Sequence, residues 1–236
     1  MGIQSIKKHL YRLGLFFLSL LIATELSAAT GSKDKKTNKK PEKKVEESDD
    51  GSRYILNCSE CHGFDGNSIS PEWPNIAGLN KSYMIRQLKD FKEGKRANEE
   101  MTQIVKEFPS DKELASLAKY FSKQKVINPN TSETIKQYSL VDLKLGEEIF
   151  TGKRIEYGIP ACSACHGKEG LGDKEGKFPR LVGQHMAYTI KQMELFRSKE
   201  RSNDTPAQMR NIALKMDDED IESVAAYIAY MSTEKN

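Results

Sequence analysis

The strongest constraint on this 236-residue chain is a five-residue pattern that occurs twice. Cys58-Ser59-Glu60-Cys61-His62 returns 104 residues later as Cys162-Ser163-Ala164-Cys165-His166, and a glycine (Gly63, Gly167) follows each copy. C-x-x-C-H is the attachment pattern of c-type haem. Each thiol adds across one vinyl group of the porphyrin, and the adjoining imidazole can serve as the proximal iron ligand. All four cysteines of the chain lie in the two patterns. A zinc ribbon joins its C-x-x-C pairs across roughly 15–20 residues. A redox C-x-x-C belongs to a βαβ setting and needs no histidine beside it. The sequence therefore predicts two covalently bound haem c groups, held by Cys58, Cys61, Cys162 and Cys165, with His62 and His166 on the irons.

The N-terminus supports this chemistry. Residues 1–29 read as a secretory signal: Lys7, Lys8 and Arg12, an apolar run from Leu13 to Ile22, then Ser27, Ala28 and Ala29. The run is short for a membrane span, which needs roughly 20 residues, although an uncleaved anchor is the alternative reading. Haem c is attached on the outer side of an energy-transducing membrane, so the expected location is the periplasm. Residues 30–50 hold seven lysines and six acidic residues with Val45 as the one sizeable apolar side chain, and read as a disordered linker. Such a tract is compatible with peripheral membrane association. The net charge of +3 arises in these two segments, because residues 51–236 carry 27 basic and 27 acidic side chains. No nucleic-acid footprint is expected.

An internal repeat organises the remainder. Trp73-Pro74-Asn75-Ile76-Ala77-Gly78-Leu79 aligns with Phe178-Pro179-Arg180-Leu181-Val182-Gly183-Gln184. At the same offset of 105, Tyr83 matches Tyr188, Gln87 matches Gln192, Phe91 matches Phe196, Arg96 matches Arg201 and Asn98 matches Asn203. After a three-residue insertion in the second copy, Met101 matches Met209 and Ile104 matches Ile212. The apolar spacing is helical throughout. Ser110 with Glu113 predicts a capping box, and Asp217-Asp218 places negative charge at another helix start. The expected fold is all-α: a domain over 51–128 and a second over 129–236, parted where Asn128-Pro129-Asn130 breaks any helix.

Counting constrains the sixth iron ligand. Of four histidines, His9 lies in the signal and two are proximal, so only His185 remains and two bis-histidine irons are excluded within one chain. Methionine is the alternative. Met101 and Met209 occupy matching repeat positions, 39 and 43 residues after their proximal histidines, ahead of the closing helix. Met84, Met193 and Met216 read as packing residues, and His185 as a surface or capping residue. Trp73 and Phe178 are expected against the haem edge. Arg180, facing Asn75 in the other copy, is a candidate partner for a haem propionate, which would make the two haems unequal in potential.

On these residues the chain resembles the dihaem class I cytochromes c of the cytochrome c4 type. The likeness covers about residues 51–235 and is carried by both C-x-x-C-H-G motifs, by Phe178-Pro179-Arg180-Leu181-Val182-Gly183-Gln184-His185, and by Met209-Arg210-Asn211-Ile212-Ala213. The resemblance implies two cytochrome c folds related by pseudo-twofold symmetry and His/Met ligation by His62 with Met101 and His166 with Met209. It also implies electron delivery to a terminal oxidase or another periplasmic acceptor. Residues 31–50 are not part of that pattern. Two other functions compete: a dihaem peroxidase, which needs one open iron, and a cytochrome subunit of a larger oxidase or dehydrogenase complex.

Overall fold

The computed structural model describes residues 54–108, 110–128 and 143–231. The signal and linker expected over 1–50, and most of the junction between the halves, lie outside these residues. Among the described residues the regular structure is helical. The first half has α1 (Ile55–His62), α2 (Lys81–Lys92), α3 (Glu99–Lys106) and α4 (Asp111–Phe121). The second has α5 (Leu143–Thr151), a 3-10 turn (Ile155–Tyr157), α6 (Cys162–His166), α7 (Met186–Arg197), α8 (Gln208–Ala213) and α9 (Asp218–Tyr230).

Local chemistry sets most helix starts. Asn80 caps α2 by accepting from the Ser82 N–H at 2.8 Å, and Asn98 caps α3 by accepting from Met101 N–H at 2.7 Å. The capping box of Ser110 and Glu113 opens α4. Asp217, the first of the acidic pair, opens α9 with a full capping box, in which it accepts from the Asp220 N–H and Asp220 accepts from the Asp217 N–H.

Each half has its own core. Leu114, Leu117 and Phe121 of α4 pack with Phe91 and Val105, and Phe108 sits among them. Ile221, Val224 and Ile228 of α9 pack with Ile149, Phe150 and Phe196. Met84, Met193 and Met216 are buried as expected of packing residues, and Met216 fills the place that Phe108 fills in the first half. In the second half α5 lies directly on α9. Gly146 makes this approach feasible, since a Cβ there would collide with the carbonyl of Ser223.

Candidate haem sites

Each motif is helical, so its two cysteines, three residues apart, share a face with the histidine one turn beyond the first cysteine. The glycine after each histidine has positive φ, 76° at Gly63 and 82° at Gly167, which turns the chain out of the helix. The returning loops are built alike. The Gly66 carbonyl accepts from the N–H groups of Ile76 and Ala77 at 2.8 and 2.9 Å, and the Gly170 carbonyl accepts from Leu181 and Val182 at 2.7 and 3.2 Å.

These bonds carry the preceding proline over the motif. His62 Nδ1 donates to the Pro74 carbonyl at 2.9 Å, and His166 Nδ1 to the Pro179 carbonyl at 2.8 Å. Both imidazoles are buried, and burial lowers their pKa below the usual histidine range, so each is neutral near pH 7. With Nδ1 engaged, Nε2 carries the free lone pair. That is the donor set a haem iron requires, with the tautomer fixed from behind.

The thiol environment speaks against a redox pair. All four cysteines are free of disulfide bonds. Burial pushes the Cys58 and Cys162 thiols up to about 11, opposite to an activated thiolate. The two cysteine pairs do not converge, and among the described residues no cluster of three His, Cys, Asp or Glu could hold a bare metal ion. Large apolar side chains, meanwhile, stand at the surface along the segments around the motifs: Leu56, Phe64, Ile69 and Leu171. Helix-borne thiols, a neutral histidine and apolar flanks together fit a covalently tethered porphyrin.

The other expected site residues fall as follows. Met101 and Met209 lie near the starts of the short helices α3 and α8, half-buried against the first and second cores. Trp73 is part-exposed just before Pro74. Phe178 meets the His166 ring edge-on at 6.1 Å between centroids. Arg180 is buried and donates to the carbonyls of Val182 and Ala77, both at 2.6 Å, leaving its Nε without a partner. Burial lowers its pKa to about 10.

His185 departs from expectation. It precedes α7 but its side chain caps nothing. The ring is buried, and Nε2 lies 3.0 Å from the Ser68 carbonyl of the other half. A surface role fails because the two halves close over this position.

The same closure explains the polar residues of the repeat, whose role the sequence does not declare. Arg96 donates to Gln87 of its own half at 2.8 Å and to Tyr188 and Gln192 of the other at 2.9 and 2.8 Å. Arg201 donates to its own Gln192 at 2.7 Å and across to Gln87 at 3.1 Å and Tyr83 at 3.5 Å. Their backbones form an isolated antiparallel bridge. Each guanidinium covers a phenylalanine of its own half, Arg96 over Phe91 and Arg201 over Phe196. This is an isologous contact made within one chain. Burial and the charge of Arg96 press the Arg201 pKa down. Burial alone would raise Tyr188, yet the two guanidinium groups bring it below the usual phenol range.

The cytochrome c family model matches residues 48–125 and 143–232, one stretch for each half. The chain belongs to the cytochrome c family, in its dihaem cytochrome c4 branch. Cytochrome c4 of Pseudomonas aeruginosa is 40% identical over 175 residues, covering 72% of this chain and 82% of that protein. The crystal structure of reduced recombinant cytochrome c4 from Pseudomonas stutzeri superposes with a TM-score of 0.70 at 36% identity, covering 77% of this chain and 97% of that one. A thiosulfate dehydrogenase electron acceptor of Thiomonas intermedia is 34% identical, covering 73% of this chain and 77% of its own length. The chain accordingly carries two haem c groups and works as a dihaem electron carrier.

Proposed function

We propose that this chain is a periplasmic carrier that takes electrons from a dehydrogenase and passes them to a terminal oxidase or another periplasmic acceptor, through two haems each ligated by histidine and methionine. The observation that carries the reading is the pair of buried histidines, each donating from Nδ1 to a proline carbonyl and each followed in the repeat by a half-buried methionine on a short helix. When bound, the haem supplies a one-electron iron couple. The chain supplies the rest. Cys58, Cys61, Cys162 and Cys165 would tether the porphyrins, the proline carbonyls hold the imidazoles in place, and His62 with Met101 and His166 with Met209 would ligate the irons. Irons ligated in this way would favour electron transfer over binding of peroxide. Arg180, buried with an unpartnered Nε, is assigned to a haem propionate. The two haem domains divide near residue 128, after a signal over 1–29 and a linker over 30–50.

No helix among the described residues is long and apolar enough to cross a membrane. The likeness to a thiosulfate dehydrogenase electron acceptor favours a sulfur-oxidising dehydrogenase as one donor. Low-temperature spectra of the oxidised protein test the ligation. Sulfur-to-iron charge-transfer absorption is expected in the near infrared, halved in Met101→Ala and in Met209→Ala. A high-spin haem in the unmodified protein would instead support the peroxidase. Reduction by isolated dehydrogenases and oxidation by membranes identify the partners.

A further inference from the structure

Gln184 stands where the first repeat has Leu79, so its contacts have no counterpart. Its side chain reaches across the interface and pairs with both backbone groups of one residue. Oε1 accepts from Asn75 N–H at 2.9 Å, and Nε2 donates to the Asn75 carbonyl at 3.0 Å. The Asn75 side chain is fixed as well, donating to the Gly183 carbonyl and accepting from the Ser68 N–H, both at 2.7 Å. Asn75 is fully buried and Gln184 nearly so.

Asn75 N–H and the Pro74 carbonyl are opposite ends of one peptide unit. That carbonyl holds His62. A continuous relay results: His62 Nδ1–H to the Pro74 carbonyl, and through the same peptide plane from Asn75 N–H to Gln184 Oε1. Hydrogen bonds in series polarise one another, so an amide whose N–H is engaged is the better acceptor at its oxygen. A stronger acceptor makes the imidazole more basic toward iron and favours the ferric state. In the second half the equivalent peptide joins Pro179 to Arg180, and the Arg180 N–H has no such acceptor among the described residues. Asp173 steadies that segment instead, accepting from the Phe178 N–H at 2.9 Å.

We infer that Gln184, a residue of the second half, lowers the reduction potential of the haem in the first half by polarising the Pro74–Asn75 peptide that holds His62. The inference rests on the haem ligation by His62 proposed above, and it makes Gln184 a positioning residue acting across the interface. The test uses the full holoprotein with Gln184→Leu, the residue native to the first repeat. Potentials of the two haems are followed by NMR of the haem methyl signals during a redox titration. The second haem is recognised by the contacts expected of it with the Phe178 ring, which lies against His166. The expected result is an upward shift of the first haem alone by about threefold to tenfold in its reduction equilibrium, where tenfold corresponds to about 59 mV for a one-electron couple. No shift of the first haem, or an equal shift of both, overturns it. A second measurement needs no variant. In the reduced, diamagnetic protein a scalar coupling across the hydrogen bond from Asn75 nitrogen to the Gln184 side-chain carbonyl is expected, and its absence also overturns the inference. Axial ligation is read separately from the spectra of the unmodified protein, so failure of the ligation and failure of the relay are told apart.

Discussion

In the first half, the peptide behind His62 is pinned by Gln184, which belongs to the other half. In the second, the segment behind His166 is steadied by its own Asp173. The approaches to the methionines differ too. Asn98 caps the α3 turn that carries Met101. Before Met209 a longer loop carries Asp204, which pairs with Arg210 at 2.6 Å and accepts from its N–H at 2.9 Å. What the halves share is the innermost layer: a motif helix, a positive-φ glycine, a proline carbonyl on the histidine. The comparison teaches that the proposed haem-holding contacts tolerate different supports, and that the halves borrow support from each other at different places, the first at the peptide behind His62 and the second at its 174–176 loop, held by Asn80 and Arg86.

Three experiments press on that contrast. The largest effect comes from removing one attachment pair at a time. Cys58→Ala with Cys61→Ala, and Cys162→Ala with Cys165→Ala, should each reduce the haem count from two to one by mass. Because the peptide behind His62 is pinned from the second half while that behind His166 has no such acceptor, losing the second haem should disturb the spectrum of the proposed Met101 ligation more than losing the first disturbs that of Met209. Equal disturbance would break the contrast. Next is Gly146→Val, which forces α5 away from α9. Overpacking of this kind costs about 3 kcal/mol, and denaturation followed by signals of each haem should show the second half failing first. The smallest effect is the most diagnostic of symmetry. Arg96→Leu and Arg201→Leu each remove donors to buried acceptors, at about 1–3 kcal/mol. Each single variant already relieves the repulsion between the two guanidinium groups, which the double relieves only once, and each leaves the shared glutamines one donor, so the double variant should cost more than the sum of the two. Arg201→Leu should be somewhat the worse, since Arg201 also donates to Asn203, which in turn holds Asp90. Denaturant unfolding checks all three variants.

Much of this arrangement is legible in the sequence. The two motifs announce the haems, helical spacing of Leu114, Leu117 and Phe121 announces α4, and Ser110 with Glu113 announces its start. These signals are local, within a turn or two of each other. What the sequence withholds depends on contacts across about a hundred residues. His185 reads as a surface residue because burial of a polar ring is decided by the other half, through Ser68. Tyr83, Gln87 and Arg96 announce themselves as repeat matches, yet polar residues on a helix face look solvated until a second copy is placed against them. Which proline serves each histidine is likewise set by loop closure at Gly66 and Gly170 rather than by composition.

The shared glutamines have an evolutionary consequence. Gln87 and Gln192 each accept from both arginines, so neither half can satisfy this patch from its own inventory. A substitution in one repeat therefore alters the surroundings of its own homologue in the other. At this spot the fused chain behaves like a homodimer that has become a single gene, where drift in one copy is constrained by the memory of its twin.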